Sequence, residues 1–149
     1  MKFGTSVTAI AGTVLAASAL SLSIPGSASA GGYGCSGSLR KTYAVKSKWN
    51  TISHVKVYYN SSSGWNCAVN VKTKYYSQFK HKASIWLYNQ TLAEDNVHEG
   101  VNTDSDSGKF KYYAGPVKVK GRNMCISFVA DTWYYDEHAH LYKAGILCG

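Results

Sequence analysis

The segment Asp136-Glu137-His138-Ala139-His140 holds the densest set of metal-ligating side chains in this 149-residue chain. On an extended strand positions 136, 138 and 140 share one face, because successive side chains alternate. A carboxylate and two imidazoles so placed suit zinc or copper. No fourth ligand is identifiable, and the segment also reads as a solvated hairpin tip after Trp133-Tyr134-Tyr135. No metal or other cofactor is therefore assigned, and Asp136, His138 and His140 stand only as a candidate set. Asn102-Thr103-Asp104-Ser105-Asp106-Ser107-Gly108 spaces oxygen ligands two apart, as a calcium loop does. It lacks glycine at the sixth position and an acid at the twelfth, where Tyr113 stands, so a plain Asx- and Ser-rich turn is expected.

Catalysis finds no constellation. His54, His81, His98, His138 and His140 are available, but no Gly-x-Ser-x-Gly elbow accompanies them. Glu94, Glu99, Asp104, Asp106, Asp131 and Asp136 offer carboxylates without a pattern that selects a hydrolytic pair. The chain is not expected to be an enzyme.

Export bounds what remains. Lys2, an apolar run from about Val7 to Leu22, the Pro25-Gly26 breaker and Ser27-Ala28-Ser29-Ala30 read as a secretory signal, residues 1–30, cleaved after Ala30. The mature chain, 31–149, then carries 15 Lys and Arg against 8 acids, a formal charge of +7. It fits a single domain. No long apolar run remains in it, so membrane insertion of the mature chain is not expected. Cys35, Cys67, Cys125 and Cys148 form no Cys-x-x-Cys pair and should oxidise to two disulfides. Three pairings are open; the one expected here is nested, Cys35 with Cys148 tying the termini and Cys67 with Cys125 tying two central strands.

The elements that must position these residues are short strands. Ile52 to Tyr59 alternates, Asn60-Ser61-Ser62-Ser63-Gly64 is a turn, and Trp65 to Thr73 resumes the alternation, making a hairpin. Lys109 to Ala114 and Val117 to Gly121, broken at Gly115-Pro116, predict a second hairpin with Phe110, Tyr112, Val117 and Val119 inward. Arg40–Ser47, Ala83–Asn89, Met124–Asp131 and His140–Leu147 complete the set, with a helical turn allowed between Tyr75 and Lys82 or near Thr91 to Asp95. The expected fold is all-β: a small disulfide-stapled β-sandwich or barrel of seven to eight short antiparallel strands.

In that frame Lys109, Lys111, Lys118 and Lys120 project together from the second hairpin, with Lys56 and Lys72 outward on the first. Four like charges on one face repel one another and attract a polyanion. Twelve tyrosines and four tryptophans supply rings for stacking beside them. No nucleic-acid-binding motif accompanies the charge, and export makes nucleic acid an unexpected partner.

Val57 to Val69, with Tyr-Tyr-Asn-Ser-Ser-Ser-Gly-Trp-Asn-Cys at its centre, Tyr112-Tyr113-Ala114-Gly115-Pro116-Val117 leading to Cys125, and the terminal Cys148-Gly149 together resemble the secreted spore-associated protein A family of filamentous actinobacteria. The likeness covers about half of the mature chain. It implies export to a cell or spore surface, an all-β disulfide-bonded fold and no catalytic residues, and it supports the nested cysteine pairing and the turn at Gly115-Pro116. This chain departs from the pattern in its lysine content and in Ser77–Asp106 and Trp133–Tyr142. The expected function is a secreted, surface- or spore-associated protein with a structural or polymer-binding role, its partner an anionic or carbohydrate polymer of the wall. The alternative is a secreted effector or inhibitor acting on a competitor's envelope or enzymes.

Overall fold

The computed structural model describes residues 31–89 and 102–149. The expected signal segment 1–30, and Glu94, His98 and Glu99, lie outside the described residues. The eight strands are β1 (Ser38–Lys46), β2 (Thr51–Asn60), β3 (Trp65–Lys72), β4 (His81–Asn89), β5 (Thr103–Phe110), β6 (Tyr113–Lys120), β7 (Ile126–Tyr134) and β8 (Glu137–Ile146). They form two antiparallel four-stranded sheets, ordered β1-β2-β3-β6 and β5-β4-β7-β8. The expected all-β sandwich is the fold.

The core lies between the sheets. Val55, Val57 and Ala68 from the first meet Ile85, Leu87, Phe128 and Ala130 from the second, all removed from water. Each large apolar side chain buried in this way contributes about 1.5–3 kcal/mol. Polar side chains cross the same interior, some tied to partners, whereas the buried Asn66 amide and Tyr43 hydroxyl have none. The Asn70 amide donates to the carbonyls of Ser84 and Asp131 at 3.0 and 3.1 Å and to the Thr132 hydroxyl at 2.9 Å, tying β3 to β4 and β7. Ser53 and Thr132 share a hydrogen bond of 2.8 Å.

Lys72 corrects an expectation. Its side chain points inward rather than outward, 5% exposed, and its ammonium donates to the carbonyls of His81 at 3.0 Å and Phe110 at 2.6 Å. The inversion has a physical cause: the opposite face of β3 is covered too. Residues 31–37 cross the outside of the first sheet, and Tyr33 and Cys35 pack there on Tyr58, Cys67 and Val69. Both faces of β3 are therefore buried, and alternation alone could not say which one meets the other sheet.

The second predicted hairpin is also corrected. β5 and β6 belong to different sheets, and their connection turns at Lys111-Tyr112, not at Gly115-Pro116, which lies within β6. Tyr112, expected inward, is exposed. Proline is tolerated in β6 because that strand is the edge of its sheet. Gly115 adopts φ +102°, and a Cβ there would stand 2.9 Å from the Ala68 carbonyl oxygen. The Asn102–Gly108 segment, expected as a turn, is mostly strand β5. Its Asp104 and Asp106 carboxylates accept hydrogen bonds from the backbone N–H groups of Lys118 and Gly115 at 2.8 and 2.7 Å. They cap an edge that would otherwise invite a further strand.

The disulfides are Cys35–Cys67 and Cys125–Cys148, so the nested pairing is wrong. Cys67 faces the covering segment on the outside of the first sheet, which brings Cys35 to it. Cys125 and Cys148 stand at the open end of the β7–β8 hairpin, whose register places Ile126 opposite Ile146. Two disulfides are consistent with an oxidising environment. Among the described residues no helix is long and apolar enough to cross a membrane.

Candidate functional site: a basic aromatic end

Four connections meet at one end of the sandwich: 47–50 between β1 and β2, 73–80 between β3 and β4, 111–112 between β5 and β6, and 135–136 between β7 and β8. Antiparallel strands joined in sequence return every second connection to the same end. Side chains then lock the connections together. Glu137 accepts hydrogen bonds from the Ser47 hydroxyl, the Asn50 amide at 3.2 Å and the Tyr76 hydroxyl at 3.2 Å. The Lys72 backbone N–H donates to the Tyr112 carbonyl at 2.9 Å, and the His81 ring lies edge-on to Tyr135 at 4.9 Å.

Each connection is shaped by local hydrogen bonds that leave its rings outside. Ser47 Oγ accepts from the N–H groups of Trp49 and Asn50, forming a tight turn with Lys48 and Trp49 at its tip. Ser77 N–H donates to the Thr73 carbonyl at 3.0 Å, closing one helical turn. That turn drives Tyr76 inward and leaves Tyr75 and Phe79 in solvent. Trp49, Tyr75, Phe79, Tyr112 and Tyr135 are 73%, 60%, 57%, 58% and 70% exposed. Among the described residues, these are the aromatic side chains more than half exposed, and all five sit at this end.

Lysines accompany them. Lys48 lies over the Trp49 ring at 4.4 Å and Lys111 over Tyr112 at 5.3 Å, while Lys74 precedes Tyr75 and Lys80 follows Phe79. Between the connections lies an open recess of about 550 Å³, lined by Asn50, Thr51, Thr73, Tyr75, Tyr76, Tyr134 and Glu137. The three tyrosine rings meet edge to face or tilted, at 4.8 to 5.9 Å. The Ser47 hydrogen bond, helped by Asn50 and Tyr76 and opposed by burial, holds the Glu137 carboxyl below its ordinary range. Burial, then the neighbouring Glu137 charge, pushes the Tyr76 phenol up.

The predicted lysine face does not assemble. Lys109 stands on the outer face of the second sheet beside Lys82, whereas Lys118 and Lys120 alternate with buried Val117 and Val119 on the outer face of the first. Lys120 lies over Trp65 at 5.6 Å and half-buried Lys56 over Tyr33 at 5.0 Å. Of the six lysines, Lys111 reaches the aromatic end in solvent, and the Lys72 ammonium reaches it only as a buried group. The candidate metal set separates as well. Asp136 sits in the exposed β7–β8 turn, while His138 and His140 both bond one oxygen of Asp131, at 2.8 and 2.9 Å. Trp133 stacks on His138 at 4.5 Å, and Lys82 covers Trp133 at 4.5 Å. Among the described residues no group of three or more His, Cys, Asp or Glu side chains is arranged to hold a metal ion.

Trp49, Tyr75, Phe79, Tyr135, Lys48, Lys74, Lys80 and the Glu137 carboxylate carry the site that sequence reasoning missed. One signal was present: lysine beside an aromatic residue recurs in alternate breaks between strands. No family model, no curated protein and no solved structure matches the chain.

Proposed function

We propose that this protein is exported and held at a cell or spore surface by binding an anionic wall polymer through its basic aromatic end. The observation that carries the reading is the gathering of five exposed rings, with Lys48, Lys74, Lys80 and Lys111 beside four of them, at one end of a sandwich whose two disulfides suit an oxidising compartment. Exposed rings at this density are stacking surfaces for sugar units, and the ammonium groups neutralise phosphate or carboxylate along the polymer. The likeness of the Tyr-Tyr-Asn-Ser-Ser-Ser-Gly-Trp-Asn-Cys and Tyr-Ala-Gly-Pro segments to the spore-associated family points to the same compartment.

Fractionating a native culture and measuring retention on insoluble wall material tests this reading. Protein recovered with walls or spores and released by salt is expected. Replacing Lys48, Lys74, Lys80 and Lys111 with Gln should abolish retention without changing the fold. Wholly soluble protein that inhibits a neighbouring organism would favour the effector reading instead.

A further inference from the structure

Glu137 and the exposed Asp136 beside it are the carboxylates of an otherwise lysine-rich end, and Glu137 is the one held in place by neighbours. Its carboxylate lines the recess, fixed by three donors from two different connections, and the walls around it are the rings of Tyr75, Tyr76 and Tyr134. We propose that this recess receives an alkylammonium group, so that the ligand of this end is zwitterionic: an ammonium in the recess and a phosphate on the surrounding lysines. The inference rests on the polymer-binding reading above and narrows its ligand.

Three observations converge on it. A ring face presents negative charge to a cation, and several rings with a carboxylate form a recess that favours substituted ammonium over sodium, because methyl groups gain from contact with the rings. The recess is large enough for such a group, at about 550 Å³, and is open to solvent, which leaves the rest of the ligand outside. Lys74 precedes Tyr75 of the lining in sequence, Lys46 ends β1, and Lys48 lies in the connection that supplies Asn50. A phosphate a few bonds from the ammonium meets these lysines, so a zwitterion binds more tightly than an alkylammonium that lacks one. Thr51 and Thr73 add hydroxyl groups to the lining, suited to a polar linker.

The probes are tetramethylammonium, phosphocholine and glycerol phosphate, titrated at constant ionic strength into the whole mature protein and followed by amide NMR. Phosphocholine should bind about tenfold more tightly than glycerol phosphate. Tetramethylammonium should shift the signals of Tyr75, Tyr76, Tyr134 and Glu137 in a saturable way. Glu137→Gln should bring the phosphocholine to glycerol phosphate ratio close to one. The Lys48, Lys74, Lys80 and Lys111→Gln variant should lose the anionic polymer yet keep the tetramethylammonium shifts, which separates the two readings. Tetramethylammonium shifts no larger than those from sodium overturn the recess proposal, even if wall binding stands. An unchanged ratio in a folded Glu137→Gln variant overturns it as well. Because the wild-type titration needs no substitution, a variant that fails to fold leaves the test intact. Retention on phosphocholine-headgroup vesicles would identify a lipid source, and retention on a polymer bearing phosphate and ammonium groups a wall source.

Discussion

The two ends of the sandwich are held in different ways. At one, Cys125–Cys148 closes the β7–β8 hairpin, the Ser61–Ser63 turn is short and polar, and Cys35–Cys67 anchors the covering N-terminal segment nearby. At the other there is no disulfide; a buried ammonium, a carboxylate with three donors and a cluster of rings hold four connections in place. The covalent end needs little side-chain surface to stay folded. The other end uses buried polar and aromatic side chains for cohesion, and the exposed rings and lysines around them are the surface proposed to bind a polymer. An end built in this way is expected to respond to pH through its buried titratable groups.

Removing a disulfide tests the covalent end and should have the largest effect. With sequence separations of 32 and 23 residues, each is worth about 3–4 kcal/mol in the chain-entropy model. Replacing either pair with Ser should lower the urea midpoint accordingly, and a loss below 1 kcal/mol would remove the contrast.

Lys72 tests the other end. Lys72→Met withdraws a donor from two carbonyls and should cost about 2 kcal/mol at neutral pH. Burial pushes this ammonium from 10.5 down to about 8. Between those pH values the unfolded chain holds a proton that the folded chain has released, so stability from this group rises with pH across the window. The tyrosines act oppositely: burial, then the Glu137 charge, pushes Tyr76 up at this end, and burial first, then the Tyr142 hydroxyl, pushes Tyr88 at the far end of β4 up to about 12, so above pH 10 the unfolded phenols ionise first and stability falls. Urea midpoints should rise from about pH 8 toward 10 and then drop, and Lys72→Met should flatten the rise.

Glu137→Gln should cost about 1 kcal/mol at neutral pH through weaker hydrogen bonds. The carboxyl is held below its ordinary value, so its contribution is present above the unfolded pKa of 4.5 and is lost as pH falls through the folded value. Acid unfolding curves of wild type and variant should converge at low pH.

The exposed rings should have the smallest effect on folding. Trp49→Ala, Phe79→Ala and Tyr112→Ala should each change stability by no more than about 0.5 kcal/mol, while each lowers polymer retention roughly tenfold. Large losses of stability with unchanged retention would make these rings structural and erase the difference between the ends.

Much of the frame was legible from residue pattern. Alternation in Ile52–Tyr59 and the Ser-rich turn after it marked β2 and β3, and the apolar run from Met124 to Val129 marked a central strand, because period-2 burial leaves a direct trace in sequence. Which face of β3 looked inward was not legible, since Cys67 and Val69 on one side and Ala68 on the other are all buried. The cysteine partners depended on the path of residues 31–37 across a sheet, which no local spacing encodes. Their partial clue was that Cys125 and Cys148 bracket two strands joined by a short turn, so that pairing those strands brings them together.

The sequence by itself determined the strands, the oxidisable cysteines, the positive charge and the supply of rings, because these follow from side-chain chemistry and local periodicity. The tertiary structure decided that the lysine set would split between opposite faces, that Asp131 rather than Asp136 would join the two histidines, and that Trp49, Tyr75, Phe79, Tyr112 and Tyr135 would gather at one end. The physical reason is that these relations join residues distant in the chain, and only the order and packing of the two sheets fix them.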